Sequence, residues 1–205
     1  MILIVDYDMG NLRSIQNKLN KIGIDSIISS DPKEILKANK LILPGVGHFA
    51  AGMTNLKKMG LINVLKKKVI KEKTPILGIC LGMQLFTEYS EEGNVPGLGW
   101  IKAQTKKFNF KEDNNNLRIP HVGWNNINIT KKSLILNDFN NESRFYFTHS
   151  YHVVPNDNNL ILTTTNYGYD FVSSIEHKNI VGVQFHPEKS HIKGLNIIKN
   201  FVQRF

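Results

Sequence analysis

The sequence predicts an α/β fold: one domain over residues 1–205, with an open, mainly parallel or mixed sheet carrying helices on both faces. Three observations lead there. Short apolar runs alternate with amphipathic segments through the first half of the chain, the pattern turns to shorter extended runs after Trp100, and the tail returns to helical spacing. A chain of 205 residues buries a sizeable core without staples, and no long linker or internal repeat divides it.

Each element follows from local pattern. Residues 2–5 are continuously apolar and read as a buried strand. Leu12, Ile15, Leu19 and Ile22 recur at helical spacing over 12–22, and Gly23 ends that helix before an extended run at 24–28. Asp31 is a good N-cap for a helix opening at Pro32. A short strand over 41–43 is closed by Pro44 and Gly45, then a helix is expected over 56–69 and a strand over 75–79. A further helix starts over 83–88. The later runs at 127–129, 145–149, 161–165, 172–175 and 180–185 suggest antiparallel or mixed strands added to the same sheet. A polar stretch at 112–116 reads as an exposed turn, and 193–205 as a closing helix.

Composition narrows the class. Hydrophobic residues make up 41% and charged residues 21%, as in ordinary globular proteins. The single cysteine excludes an intramolecular disulfide, and the N-terminus lacks the basic and apolar regions of a signal peptide. No apolar run approaches the ~20 residues that span a bilayer, so a cytoplasmic location with no membrane partner is expected. The balance of 26 Lys and Arg against 17 Asp and Glu gives +9, which raises nucleic acid as a partner. That excess is scattered lysine without interleaved aromatic platforms, so a nucleic-acid-binding module is the weaker reading. A docking face for an acidic protein explains the charge equally well.

Cys80 lies in Gly78-Ile79-Cys80-Leu81-Gly82, between an apolar strand and a helical segment. A nucleophile at a strand-to-helix turn sits on strained, exposed backbone, and small flanking residues let the turn close, as in the elbow of serine hydrolases. A helix N-terminus beside it favours a thiolate. The competing reading is a buried core cysteine behaving as a small hydrophobe. A cysteine nucleophile also needs a base, and the base an orienter. His186 follows the apolar run 180–185 and precedes Pro187 and Glu188; in extended backbone residues two apart share a side, so Glu188 can reach the imidazole. His149 and His152 read as pocket or structural residues, while His48, His121, His177 and His191 show no partner logic. For an oxyanion, one backbone donor is the amide of Leu81; the loop containing Val46 and Gly47, at the end of a parallel strand, could supply another. That loop also reads as a simple tight turn. No metal-ligand spacing and no cofactor motif stands out.

With these pieces together the chain resembles the class I (triad) glutamine amidotransferases, a flavodoxin-like fold. Within them it is similar to the family of glutaminase subunits of imidazole glycerol phosphate synthase. The matching segments are Gly10-Asn11-Leu12, Leu43-Pro44-Gly45-Val46-Gly47, Leu77 through Gln84, Pro120-His121-Val122-Gly123-Trp124-Asn125, His149-Ser150-Tyr151 and Gly182 through Ser190. They cover essentially the whole chain. The resemblance implies that Cys80 attacks the carboxamide of L-glutamine, that His186 held by Glu188 protonates the departing ammonia, and that water releases glutamate. It implies that Gln84, Glu92 and the backbone of His149, Ser150 and Tyr151 hold glutamine. It implies further that Pro120, His121, Val122 and Trp124 face a cyclase subunit built as a (β/α)8 barrel. Ammonia would pass through that heterodimer to form imidazole glycerol phosphate and AICAR in histidine biosynthesis.

Glutaminase activity in the family is generally weak until the partner binds, when the loop around Gly47 completes the oxyanion hole. Two departures from the family pattern stand near partner-facing loops: His48 where a small residue is common, and Val122 where methionine is usual. The Gly97-Leu98-Gly99-Trp100 segment is also unusual. They leave open a paralogous subunit that feeds ammonia to a sugar amidotransferase in surface-polysaccharide synthesis. A stand-alone cysteine peptidase on a similar sheet is the remaining enzymatic alternative.

Overall fold

A computed structural model describes residues 1–110 and 117–205; the expected turn at 112–116 lies outside the described residues. The first half alternates as expected: β1 (Ile2–Val5), α1 (Leu12–Lys21), β2 (Ser26–Ser29), α2 (Pro32–Lys37), β3 (Lys40–Gly45), α3 (Phe49–Lys58), α4 (Leu61–Lys66), β4 (Ile76–Cys80) and α5 (Leu81–Gln84). The second half is strand-rich: β5 (Tyr89–Ser90), β6 (Val95–Pro96), β7 (Ala103–Lys107), β8 (His121–Asn126), β9 (Asn128–Ile129), β10 (Arg144–His149), β11 (Tyr151–Pro155), β12 (Ile161–Asn166), β13 (Asp170–His177) and β14 (Ile180–Val183), closed by α6 (His191–Arg204).

The main sheet runs β2-β1-β3-β4-β14-β13-β11-β7-β5-β6. Its first five strands are parallel. Antiparallel pairing begins at β13 and continues through β11 and β7. Alternation along the parallel strands divides the core in two. Leu3, Val5, Leu41 and Leu43 pack with Ile35, Leu56 and Leu65 from α2, α3 and α4. On the other face Ile2, Ile4 and Ile42 pack with Ile15 and Leu19 of α1 and Ile197 and Phe201 of α6. Helices therefore cover both faces.

Local chemistry sets the early boundaries. Asn11 caps α1 by accepting from the Ser14 amide at 3.3 Å, and Asp31 caps α2 by accepting from Lys33 at 2.8 Å. The single helix expected over 56–69 is instead two helices and a π-helical turn over Lys67–Lys71, broken at Gly60, whose φ of 69° is left-handed. The helix expected over 83–88 is one turn that starts directly after Cys80. Among the described residues the run at 145–149 does not join the main sheet: β10 pairs only with β8, as a separate antiparallel ribbon. The 127–129 run contributes just the two-residue β9, the longer strand beside it being β8.

Candidate active site

Cys80 ends β4 with φ 53° and ψ −110°, a conformation that costs a non-glycine residue about 1–3 kcal/mol. Close packing enforces it. A Cβ on Gly78 would stand 2.7 Å from the Met83 amide nitrogen, and one on Gly82 would overlap the Leu43 carbonyl oxygen. The two glycines thus let α5 fold back tightly over β3 and β4, which carries the Cys80 side chain onto the carboxyl end of the parallel strands.

His186 and Glu188 stand behind the cysteine, both buried. His186 Nδ1 donates to Glu188 Oε1 at 2.8 Å. Proximity comes by a route other than extended backbone: Pro187–Lys189 forms a 3-10 turn. Ser190 fixes that turn to the ribbon, its hydroxyl donating to the His186 carbonyl at 2.7 Å and accepting from the Tyr146 amide at 3.0 Å. Burial opposes a charge on His186, but the neighbouring Cys80 sulfur and the Glu188 carboxylate outweigh it and push its pKa up to about 10.

Next to the sulfur lies a cavity of ≈ 220 Å³. It is smaller than the ~300–1,000 Å³ of sites for drug-sized ligands and suits an amino-acid side chain. Val46, Gly47 and Leu81 line it together with Gln84, Glu92 and the 148–151 segment. The structure therefore gathers all three oxyanion candidates and all five substrate candidates around Cys80. Gln84 has committed both amide hydrogens, donating to the Tyr151 carbonyl at 2.9 Å and to Gln184 Oε1 at 3.0 Å. Glu92 Oε2 accepts from the Phe49 amide at 2.8 Å, and His48 Nδ1 accepts from the Ala50 amide at 3.2 Å. The histidine that departs from the family pattern is thus the N-cap of α3, anchoring the end of the Val46–Gly47 loop.

Of the four residues expected to face a partner, Pro120, Val122 and Trp124 are exposed. His121 is not: strand alternation turns it inward, where its ring stacks on Tyr167 and Phe147. It also has the partner that sequence reading denied it, with Nδ1 3.2 Å from His149 Nε2. Burial lowers the pKa of His121 to about 4 and drives that of His149 well below the ordinary range. Two contacts on the Cys80 sulfur were missed. Gln184 Nε2 lies 3.6 Å from Sγ, and the Thr148 carbonyl oxygen 3.9 Å. Gln184 precedes His186 by two residues, so the same spacing that brought Glu188 to attention pointed to it; a backbone carbonyl leaves no such signal. Among the described residues no cluster of His, Cys, Asp or Glu is arranged to hold a metal ion, and no helix is long and apolar enough to cross a membrane.

Comparison with known proteins agrees with this geometry. Residues 3–205 match the family described as "Glutamine amidotransferase class-I". "Imidazole glycerol phosphate synthase subunit HisH 2" of Methanococcus maripaludis is 53% identical over 204 residues, covering 100% of both chains. The protein of that name from Pseudomonas aeruginosa is 44% identical over 203 residues and 99% of each chain. A crystal structure titled glutamine amidotransferase superposes with a TM-score of 0.75 at 16% identity, covering 99% of this chain and 98% of the other, which speaks to fold. The chain belongs to the class-I glutamine amidotransferases, in the HisH family of imidazole glycerol phosphate synthase subunits.

Proposed function

We propose that the chain is the glutaminase subunit of imidazole glycerol phosphate synthase, hydrolysing L-glutamine to glutamate and ammonia. The observation that carries this reading is the buried His186–Glu188 pair behind a strained cysteine that opens on a small cavity. Cys80 Sγ attacks the γ-carboxamide carbon, and the developing oxyanion is met by the Leu81 amide and by donors of the Val46–Gly47 loop. His186, held by Glu188, protonates the leaving nitrogen, so ammonia departs as the C–N bond breaks and a γ-glutamyl thioester forms. Water, deprotonated by the now neutral His186, then cleaves the thioester to glutamate and restores the thiolate beside a protonated His186. No cofactor takes part in these steps.

Glu92 and the backbone of His149, Ser150 and Tyr151 hold the substrate, with Gln84 offering its remaining carbonyl oxygen. The single domain acts in a heterodimer with a cyclase subunit, a (β/α)8 barrel that receives the ammonia in the cytoplasm. Pro120, Val122 and Trp124 face that subunit. The names of the relatives favour this acceptor over a sugar amidotransferase, and the cavity beside Cys80 gives no support to a nucleic-acid-binding module. Cys80→Ala tests the reading: glutamate release by the reconstituted complex is expected to vanish while the circular dichroism spectrum is unchanged, and retained hydrolysis would remove Cys80 from the mechanism.

A further inference from the structure

A continuous run of hydrogen bonds joins the partner-facing ribbon to the nucleophile. His121 on β8 pairs across the ribbon with His149 on β10. His149 Nδ1 lies 2.8 Å from the Tyr151 carbonyl, which only accepts, so Nδ1 carries the proton. Burial keeps that ring neutral, so its Nε2 is bare and accepts from His121 Nδ1–H at 3.2 Å. The same Tyr151 oxygen accepts from Gln84 Nε2 at 2.9 Å, and the second hydrogen of Gln84 goes to Gln184 Oε1 at 3.0 Å. Gln184 Nε2 is left 3.6 Å from Cys80 Sγ.

The directions in this chain are fixed. Turning the Gln184 amide over would set its NH₂ against that of Gln84 and its oxygen against the sulfur. Both contacts would repel, and the group is fully buried, with no water to relieve them. Gln184 is therefore locked with a donor on Sγ. The other contact on the sulfur, the Thr148 carbonyl, suits a thiol and disfavours an anion.

We propose that Gln184 is a further catalytic residue: its amide N–H holds negative charge on the Cys80 sulfur, and Gln84, His149 and His121 are positioning residues that keep the amide turned that way. The proposal rests on the glutaminase reading and adds a group to it. It gives Gln84 a task besides binding substrate, and it places one end of the chain on the strand whose outer side carries Val122 and Trp124. A donor on sulfur stabilises the attacking anion before glutamine arrives, complementing His186. Among the described residues, besides His186, the titratable groups around the sulfur are Glu188 behind it, Tyr7 under Gly45, the neutral His149, and Glu92 and Tyr151 in the same cavity lining.

The chain has a single cysteine, so alkyl groups found on this chain report on Cys80 alone. The test measures the pH dependence of iodoacetamide labelling of this chain, read by mass spectrometry, and the steady-state kinetics of glutamine hydrolysis, both on the complex with the cyclase subunit. Gln184→Leu is expected to move the alkylation midpoint to higher pH and to lower kcat by roughly 10–100-fold with KM within about twofold, the effect of losing a hydrogen bond to a charged group. Gln184→Glu, nearly isosteric but placing a carboxylate oxygen on the sulfur, is expected to move it further and guards against a Leu variant that fails to fold. His121→Phe is expected to shift the midpoint in the same direction by less. A wild-type alkylation profile in both Gln184 variants overturns the proposal, and a wild-type profile in His121→Phe overturns the outer part of the chain. A wild-type complex that releases no glutamate would instead overturn the glutaminase reading, which alkylation does not depend on.

Discussion

Glu188 places one carboxylate oxygen on His186 and leaves Oε2, also buried, without a hydrogen bond among the described residues. The carboxylate is thus dedicated to one imidazole, fixing its tautomer and sustaining its positive charge. Glu188→Gln keeps the shape and removes the charge. It is expected to lower kcat by about 10²–10⁴-fold while the protein stays folded, as seen when the orienting carboxylate of other triads is neutralised. Steady-state glutamine hydrolysis checks this. The same pair sets a pH dependence of stability. A histidine raised from 6.5 to about 10 on folding contributes stability that is complete below its unfolded value and is lost as pH climbs toward 10. Melting temperature should therefore fall between pH 7 and 10 in the wild type and fall less steeply in Glu188→Gln; parallel curves would show that Glu188 does not sustain the charge. The residues of this proposed triad were legible in the sequence because each sits in a local pattern: Gly-x-Cys-x-Gly, and His-Pro-Glu. Gln184 and His121 were harder to read, since what matters about them is a neighbour 100 and 28 residues away in sequence.

The elbow is the element on which the site depends, and its glycines differ in kind. Gly82 has no room for a side chain, because a Cβ would overlap the Leu43 carbonyl of the adjacent strand. Gly60, between α3 and α4, has open space around it and needs glycine only for its φ of +69°. Gly82→Ala is expected to cost about 1–3 kcal/mol or more through displacement of β3 from α5. Since β3 leads into the Val46–Gly47 loop, it should abolish hydrolysis as well. Gly60→Ala is expected to cost about 1–2 kcal/mol in left-handed strain with turnover retained. Urea midpoints and glutamine turnover on the two variants separate the cases, and an active Gly82→Ala protein would remove the steric account of the elbow. The parallel half of the sheet was legible because buried parallel strands are continuous apolar runs such as Ile2–Val5 and Ile76–Cys80. The one-turn α5 was placed too late because four residues give no periodicity. The helix α3 was missed at its start because Ala50, Ala51 and Gly52 carry little apolar signal. The strands β5, β6 and β7 at the far end of the sheet are short or polar, and the β8–β10 ribbon depends on pairing that no local pattern encodes.

On the scale of the molecule, the cavity mouth shares a face with a group of exposed apolar residues. Val46 and Pro120 line the cavity, Val122 and Trp124 continue outward from Pro120 along β8, and Trp124 stacks on His191 at 5.0 Å, beside exposed Ile192. Apolar side chains this exposed next to a catalytic cavity mark a surface meant to be covered. Covering it would also enclose the cavity, so that ammonia leaves toward the partner rather than into water. Val122 is 56% exposed and contributes little to the core, so Val122→Asp should leave the melting temperature within about a degree of wild type. At the centre of an apolar interface the same change buries an unpaired carboxylate, which costs at least about 2 kcal/mol and weakens the complex by roughly 30-fold or more. Titration calorimetry against the purified cyclase subunit measures that affinity, and unchanged binding would place the partner on another face. Because the inward side of the same strand carries His121, loss of the partner should reach the sulfur as well. Cys80 alkylation by the free subunit should then resemble that of the Val122→Asp mixture more than that of the intact complex.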